Sequence, residues 1–144
     1  MFLHIDHIGI ATNDIDAALA TLKKTQPLRL GKREVIESFG VKAVMVAAGG
    51  APIELIEPSS ADSGVAKFIE KKGEGVHHVA YRVADIDAAI ATLREQGFRL
   101  IDEKPREGYA GSRVAFVHPK DICGVLTELV EREPGKDEAP YDPE

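Results

Sequence analysis

Residues 7–22 read HIGIATNDIDAALATL, and residues 78–93 repeat this stretch as HVAYRVADIDAAIATL, with nine of sixteen positions identical at a constant offset of 71. With one residue of slack, the match resumes at residues 28–30 and 98–100. Self-similarity at a fixed spacing is the signature of a repeated structural unit. The chain is therefore expected to contain two copies of one module.

Both copies predict the same order of elements. A short β-prone run leads to Asp14 or Asp85, which suits a helix N-cap because its carboxylate accepts free first-turn N–H groups. Apolar residues then recur at helical spacing, and three further β-prone stretches follow in each half. The pattern is β-α-β-β-β, twice.

The chain divides into two modules, a connector and a tail. We expect one domain over residues 1–131, with the modules at 3–57 and 75–131 and a helical connector at 58–74. Residues 132–144 are rich in proline and poor in apolar side chains, so they are predicted to be a disordered acidic tail.

The composition excludes several classes of protein. The single cysteine among 144 residues excludes an internal disulfide framework and is typical of the cytoplasm. No apolar run approaches the ~20 residues of a membrane span, and the N-terminus lacks the pattern of a signal peptide. The net charge is −6, but residues 131–144 hold six acidic and two basic residues. The nearly neutral remainder argues against a nucleic-acid partner.

Four polar residues occupy positions where strands are otherwise apolar. His7 and His78 hold the same place in the two first strands, and Glu54 and Glu128 hold the same place in the two last strands. A carboxylate on a buried face is energetically costly unless it is paired or bound to a metal. Pseudo-two-fold symmetry between the modules would bring all four side chains to one point.

Two imidazoles and two carboxylates suit a six-coordinate divalent ion, with two positions left for water or substrate. The alternative is that both histidines are hydrogen-bonded strand residues and both glutamates face solvent on an exposed sheet surface. The repetition of the same pair in both halves favours the metal site.

The chain resembles the vicinal-oxygen-chelate superfamily, which includes glyoxalases, extradiol dioxygenases and bleomycin-binding proteins, and within it the methylmalonyl-CoA epimerase family. The motifs that carry this resemblance are IDHIGIA at 5–11, ELIEP at 54–58, GEGVHHVA at 73–80 and HPKDICGVLTEL at 118–129. The turn before the final strand is the most specific of them.

The resemblance implies an α+β fold in which two tandem βαβββ modules pair into one eight-stranded, strongly curved mixed sheet around a metal site. The implied ligands are His7, Glu54, His78 and Glu128. His78 is preferred over His77 because the repeat aligns it with His7, and His77 is expected to point to the opposite face. Cobalt is the first candidate metal, with manganese, nickel, zinc and magnesium as alternatives.

The implied activity is that of a metal-dependent isomerase of propionate metabolism. It would interconvert (R)- and (S)-methylmalonyl-CoA by abstraction of the α-proton through a metal-stabilised enolate. Epimerisation needs an acid/base group on each face of the substrate. Glu128 is expected to serve one face, and Glu37 or another ligand glutamate the other. The alternative for Glu37 is a solvated strand acid.

Arg106, Arg113 and Lys120 are candidates to bind the anionic CoA, with ordinary surface charges as the alternative. The resemblance also implies a homodimer. Two other functions stay open: a glyoxalase-type lyase or isomerase that acts on a glutathione adduct, and a metal-free small-molecule-binding protein of the same fold. Metal content and a comparison of the two substrates distinguish these functions.

Overall fold

The computed structural model describes residues 1–47 and 49–134 and the backbone of residues 142–143. These residues form ten strands and three α-helices. In chain order they are β1 (Ile5–Ala11), α1 (Ile15–Leu22), β2 (Arg29–Leu30), β3 (Glu34–Ile36), β4 (Val41–Val46), β5 (Ile53–Pro58), α2 (Gly64–Lys72), β6 (Gly75–Arg82), α3 (Ile86–Glu95), β7 (Arg106–Glu107), β8 (Arg113–Val117), β9 (Thr127–Glu131) and β10 (Asp142–Pro143).

The strands form one sheet in the order β10-β2-β4-β5-β1-β6-β9-β8-β7, with β3 also paired to β4. Because β2 and β3 pair with opposite ends of β4, they are two pieces of one broken strand. Leu100 and β7 pair with β8 in the same way. When each broken strand is counted once, the two modules contribute eight strands to a curled mixed sheet. The predicted α+β fold of two βαβββ modules is confirmed.

The modules join through the antiparallel pair of β1 and β6. In this pair Ile8 lies opposite Val79, which is its own equivalent at the offset of 71. A pseudo-two-fold axis therefore passes between these two residues. Corresponding residues of the two modules lie on either side of it.

Both repeat helices begin where the sequence predicts. The carboxylates of Asp14 and Asp85 each accept a hydrogen bond from the N–H three residues later. Glu57 in β5 and Glu131 in β9 accept the N–H of the first residue of α1 and α3, respectively. In each module, a glutamate of the last strand therefore fixes the first residue of the helix.

Alternation along the last strands separates the two faces of the sheet. Leu55 in β5 and Leu129 in β9 are buried in the apolar clusters beneath α1 and α3. Glu54 and Glu128 precede these leucines and therefore point to the opposite, inner face. Helix α2 lies on the inner face, where Val65 packs into a third apolar cluster.

The predicted connector helix is α2, which begins at the N-cap Ser63 and ends at Gly73. The predicted acidic tail, residues 132–144, falls for the most part outside the described residues. At its start, Arg132 belongs to the folded body, because it binds Asp6. Near its end, Asp142–Pro143 pairs with Arg29–Leu30 of β2. Among the described residues, no helix is long and apolar enough to cross a membrane.

Candidate metal centre

Strand register places the four predicted ligands on one face. In the β1–β6 pair, His7 lies opposite Ala80, and His78 lies opposite Gly9. On the outer sides of this pair, Glu54 lies beside Gly9, and Glu128 lies beside Ala80. Directly paired residues share a face, and residues two apart on one strand also share it. All four side chains therefore point to the inner face of the sheet.

The four side chains meet within hydrogen-bonding or near-contact distance. Nε2 of His7 lies 3.1 Å from Nε2 of His78, and the Glu128 carboxylate lies 3.3 Å from the first ring and 2.9 Å from the second. Glu54 lies 3.8 Å from both rings. All four residues are buried, with at most 6% of each exposed.

Burial and neighbouring charges shift the pKa values of the clustered residues in different directions. Burial opposes the charged imidazole, but Glu54, Asp6 and Glu128 raise the pKa of His7 to about 10. Burial raises the pKa of Glu54. For Glu128 burial acts in the same direction, but His78 and His7 outweigh it and lower its pKa. These shifts favour an ionised Glu128 next to a protonated His7.

Gly9 leaves the space that the second histidine occupies. A Cβ at residue 9 would lie 2.1 Å from Cε1 of His78, far inside van der Waals contact. The glycine of the IDHIGIA motif is therefore required by the close approach of a side chain from the neighbouring strand.

Two β-bulges flank the ligands at equivalent positions. Along β1 the partner shifts between Ile5 and His7, so Asp6 is the extra residue. Along β6 it shifts between Val76 and His78, so His77 is the extra residue. A bulge re-aims the side chain of its extra residue. The expectation that His77 points away from the site is wrong for this reason: its Nδ1 lies 2.9 Å from Nδ1 of His78.

The two bulge residues hold the ligand rings from behind. Asp6 lies 2.6 Å from Nδ1 of His7 and also receives hydrogen bonds from Arg82 and Arg132. Burial alone would raise the pKa of Asp6, but the hydrogen bonds from His7 and Arg132 hold it well below its usual range. Burial and the charge of His78 lower the pKa of His77 to about 4. An anion therefore supports His7, and a neutral ring contacts His78.

A cavity of about 330 Å³ opens over the centre. Its polar and charged lining includes Glu54, His77, His78, Glu128 and Arg106. Most of the remaining wall is apolar and includes Phe39, Phe68, Phe116, Ile56 and Leu126. The site therefore combines a buried cluster of ligand atoms with a water-excluding wall, which is typical of small-molecule sites.

Comparisons with known proteins agree with this arrangement. The sequence profile of the glyoxalase/bleomycin resistance protein/dioxygenase superfamily matches residues 6–116. This protein belongs to that superfamily. The chain is 36% identical to the ethylmalonyl-CoA/methylmalonyl-CoA epimerase of Cereibacter sphaeroides, over 90% of this chain and 98% of that protein.

Solved structures of the superfamily show the same likeness. Methylmalonyl-CoA epimerase from Mycobacterium tuberculosis is 41% identical, with a TM-score of 0.87 over 92% of this chain and 90% of that chain. A variant of the Streptomyces coelicolor methylmalonyl-CoA epimerase in complex with 2-nitronate-propionyl-CoA is 42% identical. Its TM-score is 0.87, over 93% of this chain and 97% of that chain.

The residues of this superfamily member fit a divalent metal ion. Ligand atoms of His7, Glu54 and His78 all lie within 4.8 Å of one another. Ligands bound at 2.0–2.2 Å from a central ion are separated by up to about 4.4 Å, so only small side-chain movements are needed. Two carboxylates also supply the negative charge that a divalent cation neutralises. His7, Glu54, His78 and Glu128 would hold the ion.

The structure does not bring Glu37 to this centre. Glu37 is exposed at the start of the short 3-10 helix Glu37–Phe39, and it borders a separate surface depression with Glu34 and Glu107. The turn directs its flanking residues Ile36 and Phe39 to the cavity instead. The sequence suggested Glu37 from its motif, but the direction of a side chain in a one-turn helix is not encoded in strand alternation.

Of the three predicted CoA-binding residues, only Arg106 lines the cavity. Its guanidinium lies 3.7 Å from the centroid of the Phe39 ring and is held by Asp102. Arg113 instead forms ion pairs with Asp87 and Glu131. Lys120 is exposed in the 3-10 turn Pro119–Asp121.

Sequence reasoning missed Asp6, His77 and Arg132. A signal for the first two was present, because they are related by the same offset of 71 as the ligands that follow them. This signal was overlooked because strand alternation assigns Asp6 and His77 to the face opposite the ligands. Nothing in the repeat indicated Arg132, since its partner Asp6 lies at the other end of the chain.

Proposed function

We propose that this protein is a metal-dependent isomerase that interconverts (R)- and (S)-methylmalonyl-CoA. The single observation that carries the proposal is the convergence of two buried histidines and two buried glutamates beneath an apolar cavity. The similarity to methylmalonyl-CoA epimerases supports the choice of substrate, and a variant of one of them is solved in complex with 2-nitronate-propionyl-CoA.

The reaction needs an acidic α-proton and stabilisation of the negative charge that forms when this proton leaves. In a 2-substituted malonyl-CoA, the α-carbon lies between a thioester and a carboxylate, so its C–H bond is already weakly acidic. The four ligands would hold a divalent ion, which would supply Lewis-acid stabilisation of the negative charge that develops on the substrate oxygens. The apolar wall excludes water, which strengthens this electrostatic effect.

Glu128 removes or returns the proton on one face of the α-carbon. It belongs to the buried cluster, and His78 and His7 lower its pKa, which favours the ionised form that a base needs. We assign the opposite face to Glu54, the equivalent of Glu128 in the first module, because it lies beside Gly9 of β1 as Glu128 lies beside Ala80 of β6. Glu37, the other candidate for this face, is exposed and borders a separate surface depression.

Three glutamate-to-glutamine variants test these roles. Glu128→Gln is expected to abolish epimerisation and to reduce C2 deuterium exchange at least ~10²-fold, the usual effect of losing a general base. Glu54→Gln should abolish epimerisation while one epimer still exchanges its α-proton with D₂O, because one base remains. Glu37→Gln should behave as the wild type. Unchanged exchange in Glu128→Gln would refute its role, and loss of activity in Glu37→Gln would restore the alternative assignment.

The same assay distinguishes the two other functions. A glyoxalase-type enzyme would turn over the adduct of methylglyoxal and glutathione in preference to methylmalonyl-CoA. A metal-free binding protein would contain no stoichiometric metal and would catalyse neither reaction. We expect turnover of methylmalonyl-CoA that a chelator abolishes and a divalent metal restores.

Several finer assignments form part of the proposal. Cobalt is the first candidate ion, because imidazole and carboxylate donors suit borderline divalent metals, and manganese, nickel, zinc and magnesium are alternatives. Arg106 at the cavity rim is the proposed contact for an anionic group of the CoA substrate. We also propose that the protein acts in propionate metabolism and is a homodimer. The single cysteine, which is exposed, supports a cytoplasmic location.

A further inference from the structure

We propose that His77 is a positioning residue that holds the ligand His78 through a hydrogen bond between their Nδ1 atoms. The inference rests on the proposed metal centre and concerns the side chain behind one of its ligands. It begins from the 2.9 Å contact between the two rings.

The geometry of His78 fixes the direction of this hydrogen bond. Its Nε2 faces Glu128 at 2.9 Å and Glu54 at 3.8 Å, so Nε2 is the atom that turns to the centre. A metal ligand must offer a lone pair there, and a neutral imidazole then carries its proton on Nδ1. His78 therefore donates from Nδ1, and Nδ1 of His77 accepts.

The other half of the molecule contains the equivalent device. Asp6 precedes His7 as His77 precedes His78, and each is the extra residue of a β-bulge. Asp6 lies 2.6 Å from Nδ1 of His7, so it accepts from the same ring atom that His78 uses toward His77. Partners behind a metal-bound histidine fix its tautomer and orientation. Because the same arrangement occurs in both modules, the contact between His77 and His78 is not accidental.

The two acceptors differ in charge for a physical reason. Asp6 is 5% exposed and is neutralised by Arg82 and Arg132. His77 instead lines the cavity, next to Phe68. An anion at this position would repel the carboxylate of a malonyl-type substrate, whereas a neutral imidazole accepts the hydrogen bond without adding charge.

A matched pair of variants separates positioning from packing. His77→Ala removes both the acceptor and the ring that packs on Phe68. His77→Asn also removes the ring, but its Oδ1 takes approximately the place of Nδ1 and still accepts. Each protein is first freed of metal and its melting temperature is measured. Titration with Co²⁺ then gives the Kd, and the d–d absorption of the bound ion is recorded.

We expect His77→Ala to weaken Co²⁺ binding about 10- to 100-fold and to alter the spectrum, while His77→Asn binds Co²⁺ close to wild type. Both variants should lose similar thermal stability. Equal weakening in Ala and Asn would show that packing alone matters, and unchanged binding in Ala would also overturn the proposal. If wild-type protein fails to bind Co²⁺ or any of the other ions, the metal centre itself is refuted rather than the role of His77.

A measurement on unmutated protein covers the case in which His77→Ala does not fold. In ¹⁵N-labelled protein loaded with Zn²⁺, long-range ¹H–¹⁵N spectra identify the tautomer of each histidine. A proton on Nδ1 of His78 and none on Nδ1 of His77 supports the proposal. The opposite pair of tautomers would overturn it.

Discussion

His7 is the residue at which proton and metal compete. Its ring is buried, yet Glu54, Asp6 and Glu128 raise its pKa to about 10 in the absence of metal. With Nδ1 directed to Asp6, the second proton lies on Nε2, beside Glu128. Only a deprotonated Nε2 can bind a metal ion. Metal binding at neutral pH must therefore displace this proton.

We expect the affinity of the metal-free protein for Co²⁺ to rise between pH 6.5 and 8.5, by up to about tenfold per unit for each proton displaced. Calorimetric titration in buffers of different protonation enthalpy should detect the release of about one proton per ion at pH 7.5. An affinity that does not change over this range would contradict a protonated His7.

The sign of the matching stability effect follows from the same pKa. A raised pKa means that the proton on His7 stabilises the metal-free fold fully below the unfolded pKa of about 6.5. That contribution is lost as the pH rises toward about 10. The metal-free protein should therefore lose thermal stability from pH 7 to pH 10, more than a His7→Gln variant does.

At the scale of elements, the strand pair β1–β6 determines whether the centre can form. Gly9 lies opposite His78, and a Cβ at residue 9 would lie 2.1 Å from the ring. Overpacking of this kind costs about 1–3 kcal/mol. Because the strands are fixed by their ladder, we expect the ring of His78 to be displaced before the backbone moves.

Gly9→Ala should therefore fold but bind Co²⁺ at least about tenfold more weakly, in proportion to the overpacking cost. Gly50→Ala is the matched control, since nothing lies within 4 Å of a Cβ at residue 50, and its affinity should equal that of the wild type. Circular dichroism reports the fold, and calorimetric titration reports the affinity. Wild-type affinity in Gly9→Ala would show that the His78 ring can bind the metal from a different position.

The elements that the sequence predicted well are those with a local cause. Asp14 and Asp85 lie at the N-caps because a short carboxylate accepts hydrogen bonds from the first-turn N–H groups, and this interaction does not depend on tertiary contacts. The ligands were predictable because the repeat places them at equivalent positions and strand alternation assigns them one face. The bulges at Asp6 and His77 were not, because an extra residue in a strand depends on its partner strand.

Two further differences arise from tertiary contacts. The second strand of the first module is broken between β2 and β3, where the hydroxyl of Tyr109 donates a hydrogen bond to the carbonyl of Lys32. Arg132 leaves the predicted tail because the buried Asp6 needs a cation. Neither partner is close in sequence, so composition and periodicity give no sign of either contact.

At the scale of the whole molecule, the centre belongs to neither module alone. His7 and Glu54 come from the first module, and His78 and Glu128 from the second. Behind the ligands, Asp6 of the first module binds Arg82 of the second module and Arg132, which directly follows the second module. Metal binding, module pairing and folding should therefore be one coupled equilibrium.

This coupling predicts the effect of removing the metal. An ion that binds only the assembled fold stabilises it by about 2.7 kcal/mol at a free concentration of 100 times Kd, which corresponds to an increase of roughly 10 °C in the melting temperature of a domain of this size. A scanning calorimetry trace should show one transition that moves down as a whole when a chelator is added. In Glu54→Ala, the added metal should shift the transition much less, because one ligand and one negative charge are missing. Two transitions, of which only one responds to metal, would mean that the modules fold separately and that the four ligands do not share an ion.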